Sequence, residues 1–169
     1  MLNNQWVLTA GHCTDRGKPE EFQVHLGHHD LVQDTTKILR IPVQKIVYHP
    51  KFDNSDILPL FDFSLLKLST KVDFVLNPHV QPICLPLLTR KAGPVSAIVA
   101  GWGPLWIKET DSGGTLLKCP TKLMEATIKV FTNEQCKGFD SFHNHSVTPQ
   151  MMCAGGTGDS DACQGDSGQ

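Results

Sequence analysis

The sequence is organised as short runs of β-branched and aromatic residues separated by turn residues, and this pattern constrains the fold most. The runs are WVLTAG, FQVHLG, KILRIPVQKIVYH, FSLLKL, SAIVAGW and LMEATIKVF. Such runs, bounded by Gly, Pro, Asn and Asp, are typical of β-strands. One short helix is predicted in TNEQCKGF, where Thr132 or Asn133 could cap the first turn. The pattern predicts an all-β fold.

The cysteines indicate the compartment. The chain has six of them at irregular spacing and no Cys-x-x-Cys pair, which favours disulfides over a structural zinc site. Because disulfides persist in oxidising compartments, we expect a secreted, extracellular protein. Asn144 opens an Asn-His-Ser triplet, which makes it a candidate glycosylation site that fits a secreted loop.

Charge and hydropathy argue against two kinds of partner. The formal net charge is −2, and no basic run or stripe occurs, so the chain lacks the electrostatic footprint of a nucleic-acid-binding protein. Its apolar runs are too short to span a bilayer. We therefore expect neither a nucleic-acid partner nor a membrane segment in this chain.

Three residues with the chemistry of acyl transfer occur in the order His, Asp, Ser. His12 lies in WVLTAGHC, Asp62 begins DFSLLKL, and Ser167 lies in GDSGQ. A serine hydroxyl is a weak nucleophile unless a neighbouring base activates it. Each residue alone has an ordinary reading as a surface, loop or turn residue, and Asp56 is a rival six residues before Asp62. Only Asp62 is followed by the apolar alternation FSLLKL.

Together with QPICLP, AGWG and CAGGTGDSDACQGDSG, these motifs resemble those of the chymotrypsin-type (trypsin-like) serine proteases over nearly the whole chain. The resemblance implies two packed antiparallel β-barrels. Residues 1–85 would be the latter part of the N-terminal barrel, 86–94 the linker and 95–169 the larger part of the C-terminal barrel. Because that fold needs roughly 220 to 240 residues, the peptidase domain is expected to be incomplete at both termini.

The resemblance also implies a role for each residue of the triad. Ser167 would be the nucleophile, His12 the general base, and Asp62 the residue that fixes the orientation and tautomer of His12. The backbone amides of Gly165 and Ser167 would form the oxyanion hole. The implied reaction is hydrolysis of protein or peptide substrates through an acyl-enzyme intermediate, and it requires no cofactor.

One position beside the base departs from the family pattern. The family usually has two alanines before the histidine, whereas this chain has Ala10 and Gly11. Since glycine lacks a side chain, we expect a methyl-sized gap that loosens the position of His12.

Substrate specificity is implied by a single aspartate. Asp161, six residues before Ser167, matches the position at the bottom of the primary specificity pocket in trypsin-like members. A buried carboxylate there is costly unless a substrate Arg or Lys pairs with it, so the resemblance implies cleavage after basic residues. The alternative is an ordinary loop aspartate, because Asp159 lies two residues away.

The resemblance implies that activation would depend on Asp166. In the family the residue at this position pairs with an α-amino group that proteolytic activation creates, and the pair organises the oxyanion hole. This chain begins at Met1 and contains no activation sequence such as IVGG. Without that amine a buried carboxylate is unfavourable, so we expect residues 1–169 alone to be zymogen-like and inactive.

The resemblance assigns most of the cysteines. Cys136 and Cys153 match a family disulfide, whereas Cys13 and Cys163 match positions whose partners lie outside residues 1–169. Cys84 resembles the cysteine that links the catalytic domain of many two-chain members to an upstream chain. The expected partners are therefore substrates, protease inhibitors and a disulfide-linked upstream chain.

The sequence also permits a second function and a metal site. A catalytically silent relative that uses the protease fold as a binding module is the alternative function. The pairs His28-His29 and His143-x-His145 could suggest metal ligands, but without further convergent ligands we interpret them as solvated loops and predict no metal site.

Overall fold

The described part of the chain is antiparallel β-sheet with little helix. The computed structural model describes residues 1–33, 37–54, 59–86, 95–108, 115–139, 147–155 and 166–168. It divides into two compact units, Met1–Pro86 with Ser167–Gln169 and Leu87–Asp166. In the first unit the Gly168 carbonyl accepts a hydrogen bond from Thr9 Oγ1 at 2.9 Å.

The first unit contains a four-stranded antiparallel sheet. Its strands are β1 (Trp6–Thr9), β2 (Gln23–Leu26), β3 (Leu39–Tyr48) and β4 (Ser64–Leu68), arranged in the order β1-β4-β3-β2. One turn of 3-10 helix, Pro19–Glu21, precedes β2. These strands coincide with the apolar runs of the sequence. In β4, for example, alternate residues are buried, as expected for a strand with one face toward the interior.

The long strand β3 changes partner along its length. Residues 39–42 pair with β2, and Val43 with residues 45–48 pair with β4. The register shifts between Val43 and Lys45, and such an irregularity bends a strand and increases its twist. The sheet therefore curls around a core in which Ile41, Leu68, Val72 and Val80 are buried.

The second unit contains a three-stranded and a two-stranded sheet. Strands β5 (Val95–Gly101), β8 (Met124–Phe131) and β9 (Cys153–Gly155) form the first of these in the order β5-β8-β9. The second consists of β6 (Leu105–Lys108) and β7 (Thr115–Lys118). All of these pairings are antiparallel.

A short helix, α1 (Asn133–Lys137), follows β8 as the sequence predicted. Of the two predicted caps, Thr132 is the one used: its Oγ1 accepts from Gln135 N–H at 3.1 Å, and Gln135 Oε1 accepts from Thr132 N–H at 3.0 Å. This reciprocal pair is a capping box, which stabilises so short a helix. Cys136 in α1 is fully buried and forms a disulfide with Cys153 of β9. Within the described ranges no helix has the length and apolarity needed to cross a bilayer.

Candidate active site

His12 lies on a tight turn that follows β1. Thr14 N–H donates to the Gly11 carbonyl at 3.0 Å, which closes the turn. Thr14 is buried, and its Oγ1 lies 3.0 Å from Ser64 Oγ of β4. The Thr14 carbonyl accepts a hydrogen bond from the Tyr48 hydroxyl at the end of β3. Because a buried hydroxyl and a buried carbonyl both find partners here, the turn is held to two strands of the sheet.

The space beside Gly11 is filled, contrary to the gap that we expected from the sequence. A β-carbon at this position would lie 2.7 Å from Phe52 Cε2, closer than any packed carbon contact. The Phe52 ring in turn stacks on Tyr48, with centroids 5.5 Å apart and planes inclined by 12°. The missing methyl group therefore makes room for an aromatic ring that supports the His12 turn.

Asp62 binds His12 through both of its carboxylate oxygens. Oδ2 lies 2.6 Å from His12 Nδ1, and Oδ1 accepts the His12 main-chain N–H at 2.8 Å. The side chain of His12 is 37% exposed, and that of Asp62 is 23% exposed. A carboxylate can only accept, so Nδ1 carries the proton and the neutral imidazole presents its lone pair at Nε2. The arrangement leaves Nε2 able to accept a proton from a nearby hydroxyl.

Strand pairing explains why residues fifty positions apart meet. Strands β1 and β4 are antiparallel neighbours, with Thr9 opposite Ser64. His12 follows Thr9 and Asp62 precedes Ser64, so both residues leave the sheet at the same edge.

Ser167 reaches the same edge of the sheet through its main chain. Besides the bond from Thr9 to the Gly168 carbonyl, Cys13 Sγ lies 3.5 Å from the Ser167 carbonyl oxygen. Gly168 has φ of 80°, and a β-carbon there would lie 2.6 Å from Thr9 Oγ1. Only glycine combines this backbone with this close approach, which accounts for the glycine after Ser167.

Cys13, rather than Ser167, contacts the free nitrogen of His12. Its Sγ lies 3.5 Å from His12 Nε2. The hydrogen bonds of the described residues include none between Ser167 Oγ and His12 Nε2. Burial raises the pKa of the Cys13 thiol, and the negative charge of Asp62 raises it further. The thiol beside the base is therefore predominantly protonated at neutral pH.

Asp166 lies in the second unit and has a partner there. Its Oδ1 accepts the Gly103 N–H at 2.6 Å, and Gly103 is buried. A β-carbon at Gly103 would collide with the carboxylate, so the glycine of the AGWG motif allows this approach. The expected uncompensated carboxylate is thus stabilised by a main-chain donor.

The other predicted site residues fall into two groups. Cys84 and Cys13 are exposed free thiols, and Cys136 and Cys153 form the disulfide described above. A second set lies outside the described residues: Gly165, Asp161, Asn144, Cys163, and Asp56, the rival of Asp62. Across the described ranges, no three His, Cys, Asp or Glu side chains come together in a way that could hold a metal ion.

Sequence reasoning missed Thr14, Phe52 and the aromatic residues around Asp62. Phe61 and Phe63 flank Asp62, and both rings contact the ring of His49. The only sequence signal was the single phenylalanine on each side of the aspartate, and that pattern is equally typical of the end of a strand.

We expect Gly11→Ala to lower the free energy of unfolding by about 1–3 kcal/mol, since the added methyl group must displace the Phe52 ring. Chemical denaturation of the purified chain measures the change. Gly138→Ala is the matched control, because a β-carbon there meets only the Gln135 carbonyl, at 3.4 Å. Adding Phe52→Leu to Gly11→Ala should restore part of the loss. Equal effects of the two alanine variants would contradict the packing argument.

We expect Cys13 to react with iodoacetamide more slowly than the exposed Cys84 at pH 8, because its raised pKa leaves less thiolate. Raising the pH should reduce the difference between the reaction rates of Cys13 and Cys84. Asp62→Asn should accelerate Cys13 without changing Cys84, since it removes one cause of the raised pKa and leaves the burial. Peptide mass spectrometry over a time course gives each rate. A Cys13 reaction rate equal to that of Cys84, or one that Asp62→Asn does not change, would contradict the effect of burial and of Asp62 on the Cys13 thiol.

Comparison with known proteins identifies the family to which the chain belongs. The family model described as Trypsin matches residues 1–169. The chain is 36% identical over 173 residues to serine proteinase stubble of Drosophila melanogaster, covering 99% of this chain and 20% of that protein. It is 34% identical over 169 residues to chymotrypsin-like elastase family member 1 of Felis catus, covering 99% of this chain and 59% of that protein.

A solved structure is similar as well. Neuropsin, a serine protease expressed in the limbic system of mouse brain, superposes with a TM-score of 0.75 at 30% identity, covering 99% of this chain and 67% of that one. The chain spans between a fifth and about three fifths of the two curated relatives. The predicted all-β, trypsin-like fold class is confirmed, and the chain belongs to the trypsin family of serine proteases.

Proposed function

We propose that the chain carries the catalytic residues of a serine-type endopeptidase. The observation that carries this proposal is the double contact of Asp62 with His12, at 2.6 Å to Nδ1 and 2.8 Å to the main-chain N–H. The contact at Nδ1 selects the tautomer of the ring, and the contact with the main-chain N–H holds the carboxylate in place beside it. A fixed base beside an exposed serine is the requirement for nucleophilic catalysis.

The proposed reaction proceeds in two steps. Ser167 Oγ attacks the carbonyl carbon of the scissile bond while His12 Nε2 takes its proton, and Asp62 stabilises the imidazolium that forms. His12 then gives the proton to the leaving amine, so that the C–N bond breaks and the acyl-enzyme remains. Water, deprotonated by the same base, then attacks the ester carbonyl, and the bond between the acyl carbon and Ser167 Oγ breaks. His12 returns the proton to Ser167 Oγ, and the carboxylic acid product leaves. The amides of Gly165 and Ser167 are proposed to bind the oxyanion.

We further propose that residues 1–169 alone are inactive in the described geometry. Support comes from His12 Nε2, which faces Cys13 Sγ at 3.5 Å instead of the serine hydroxyl. Support also comes from Asp166, whose carboxylate is bound by Gly103 N–H. Turnover then requires that Ser167 Oγ replace the thiol at Nε2, and that the amine proposed to activate the enzyme compete with Gly103 for Asp166.

Cleavage after Arg or Lys is the proposed specificity. It rests on Asp161, which stands at the family position for a pocket carboxylate that pairs with a basic substrate side chain. A relative named as an elastase makes a different preference the competing proposal. The two proposals differ in the charge of the substrate residue that the pocket accepts.

The second candidate function is a catalytically silent binding module with the protease fold. The contact of Cys13 with His12 favours it, because a protonated thiol at Nε2 keeps the base from the serine. The presence of His12, Asp62 and Ser167 together favours the enzyme instead.

We propose that the protein is secreted and linked to an upstream chain through Cys84. The Cys136–Cys153 disulfide supports an oxidising compartment. Cys84 is an exposed free thiol between Ile83 and Leu85, which are 71% and 59% exposed. Exposed apolar side chains around a free thiol suit a covered, disulfide-linked contact. Protein substrates and protease inhibitors are the other proposed partners.

A fluorophosphonate, which reacts with activated serines, tests the catalytic proposal. We expect a longer version of the protein, extended to the full peptidase domain and proteolytically activated (the activated full-length enzyme), to be labelled at Ser167. Residues 1–169 alone should be labelled no more than their Ser167→Ala variant. Asp62→Asn should lower kcat of the full-length enzyme on the order of 10⁴-fold, because the carboxylate that holds the His12 proton on Nδ1 is then lost. Labelling of residues 1–169 alone would contradict the proposed inactivity. Absence of labelling in the activated full-length protein would favour the binding module.

A panel of Arg, Lys and small apolar peptide esters tests specificity in the activated enzyme. We expect Arg and Lys esters to be preferred and Asp161→Ser to reduce their kcat/KM on the order of 10⁴-fold, because the substrate charge loses its buried partner. Asp159→Ser is the matched control and should leave kcat/KM unchanged. Preference for the apolar ester, or an equal loss in both variants, would assign the pocket differently.

A further inference from the structure

Phe61, immediately before Asp62, has an unusual backbone conformation. Its φ is 50°, and among the described residues other than glycine only Arg16 shares a positive φ. The left-handed region is unfavourable for a bulky residue because the β-carbon crowds the following carbonyl. Such a conformation persists only when surrounding contacts determine it.

The ring of His49 supplies those contacts. It stacks on Phe61 with centroids 4.6 Å apart and planes inclined by 9°. It also packs against Phe63, with centroids 4.8 Å apart and an inclination of 53°. His49 N–H donates to the Phe63 carbonyl at 3.3 Å, and Lys51 N–H donates to His49 Nδ1 at 3.2 Å. The histidine is therefore held at its main chain and at its ring.

The residues on both sides of Asp62 are thus anchored on one ring. Phe63 N–H donates to the Phe61 carbonyl at 2.7 Å, which closes a tight turn with Asp62 at its centre. Because Phe61 and Phe63 cannot rotate independently of His49, the direction in which the Asp62 side chain leaves the turn is fixed. That direction brings its two oxygens to His12.

The same segment supports the base from the opposite side. Phe52 N–H donates to the His49 carbonyl at 2.9 Å, and the Phe52 ring lies against Gly11 beside His12. Residues 49–52 therefore contact the neighbours of both partners of the His12–Asp62 pair. The His49 ring contacts Phe61 and Phe63 on either side of Asp62, and the Phe52 ring lies against Gly11, next to His12.

We propose that His49, Phe61 and Phe63 form an aromatic clamp that positions Asp62 for its contact with His12. The contacts of the clamp run to the residues on either side of Asp62, so its members are positioning residues that act through Asp62. The catalytic meaning of the clamp rests on the proposed function, whereas its effect on the His12–Asp62 pair is a property of the chain itself.

The His12 Nδ1 proton reports the clamp directly, since a proton in a short bond to a carboxylate resonates far downfield and exchanges slowly. We expect this resonance in residues 1–169 labelled with ¹⁵N-histidine, and we expect His49→Ala to accelerate its exchange about tenfold or more. His49→Phe, which keeps an aromatic ring, should restore slow exchange to within about twofold. Phe61→Gly, which accepts the left-handed backbone without a ring, should behave as His49→Ala does.

His25→Ala is the matched control, because His25 also stacks on a neighbouring ring, that of His28, within the same unit. It should leave the His12 resonance unchanged. An unchanged resonance in both His49→Ala and Phe61→Gly, or an equal change in His25→Ala, would overturn the clamp. If His49→Ala does not fold, Phe61→Gly decides the question.

Activity separates the clamp from the proposed function. In the activated full-length enzyme, His49→Ala should lower kcat and leave KM unchanged, since the clamp acts on the base and not on the substrate. If the fluorophosphonate does not label Ser167 in the activated full-length protein, the proposed enzymatic function is refuted. The resonance of the His12 Nδ1 proton still tests the clamp in that case. A labelled, active enzyme in which His49→Ala alters neither kcat nor the resonance would refute the clamp alone.

Discussion

The antiparallel pairing of β1 with β4 is the constraint on which the site depends. It sets Thr9 opposite Ser64, so the chain that leaves β1 and the chain that enters β4 meet at one edge of the sheet. A shift of one residue in this register would turn every side chain of the strand to the opposite face and would expose the buried Leu66 and Leu68. The hydrophobic pattern of the strand therefore fixes the distance between a base and its carboxylate.

Uncharged contacts hold the charged groups of the site in place. The His12 turn is fixed by buried hydroxyl contacts through Thr14 and by the Phe52 ring against Gly11. Asp62 is fixed by its aromatic neighbours on His49. Because His12 and Asp62 are both partly exposed, their hydrogen bonds alone contribute only modestly to holding them. The surrounding packing supplies the rest of the order.

The sequence predicted the elements of this fold better than the contacts between them. Strand positions, the capped helix at Thr132 and the proximity of His12 to Asp62 follow from local patterns or from whole motifs. The filled space at Gly11 does not follow from a local pattern, since it depends on the ring of Phe52, which is distant from Gly11 in the sequence. The left-handed Phe61 does not either, because local propensity disfavours it and it depends on tertiary contacts, among them the ring of His49 and the ammonium group of Lys51.

The two sides of His12 differ in how far they are organised. On the Nδ1 side, two hydrogen bonds of 2.6 and 2.8 Å to Asp62 are complete before any substrate arrives. On the Nε2 side, the neighbour is a thiol sulfur at 3.5 Å, and a thiol is a weak hydrogen-bond partner. Because the pKa of Cys13 is raised, the thiol stays neutral and adds no ionic attraction that would hold it at the imidazole. The fold therefore settles the orientation of the base through Nδ1, whereas the partner at Nε2 depends on the positions of Cys13 and of the chain around Ser167.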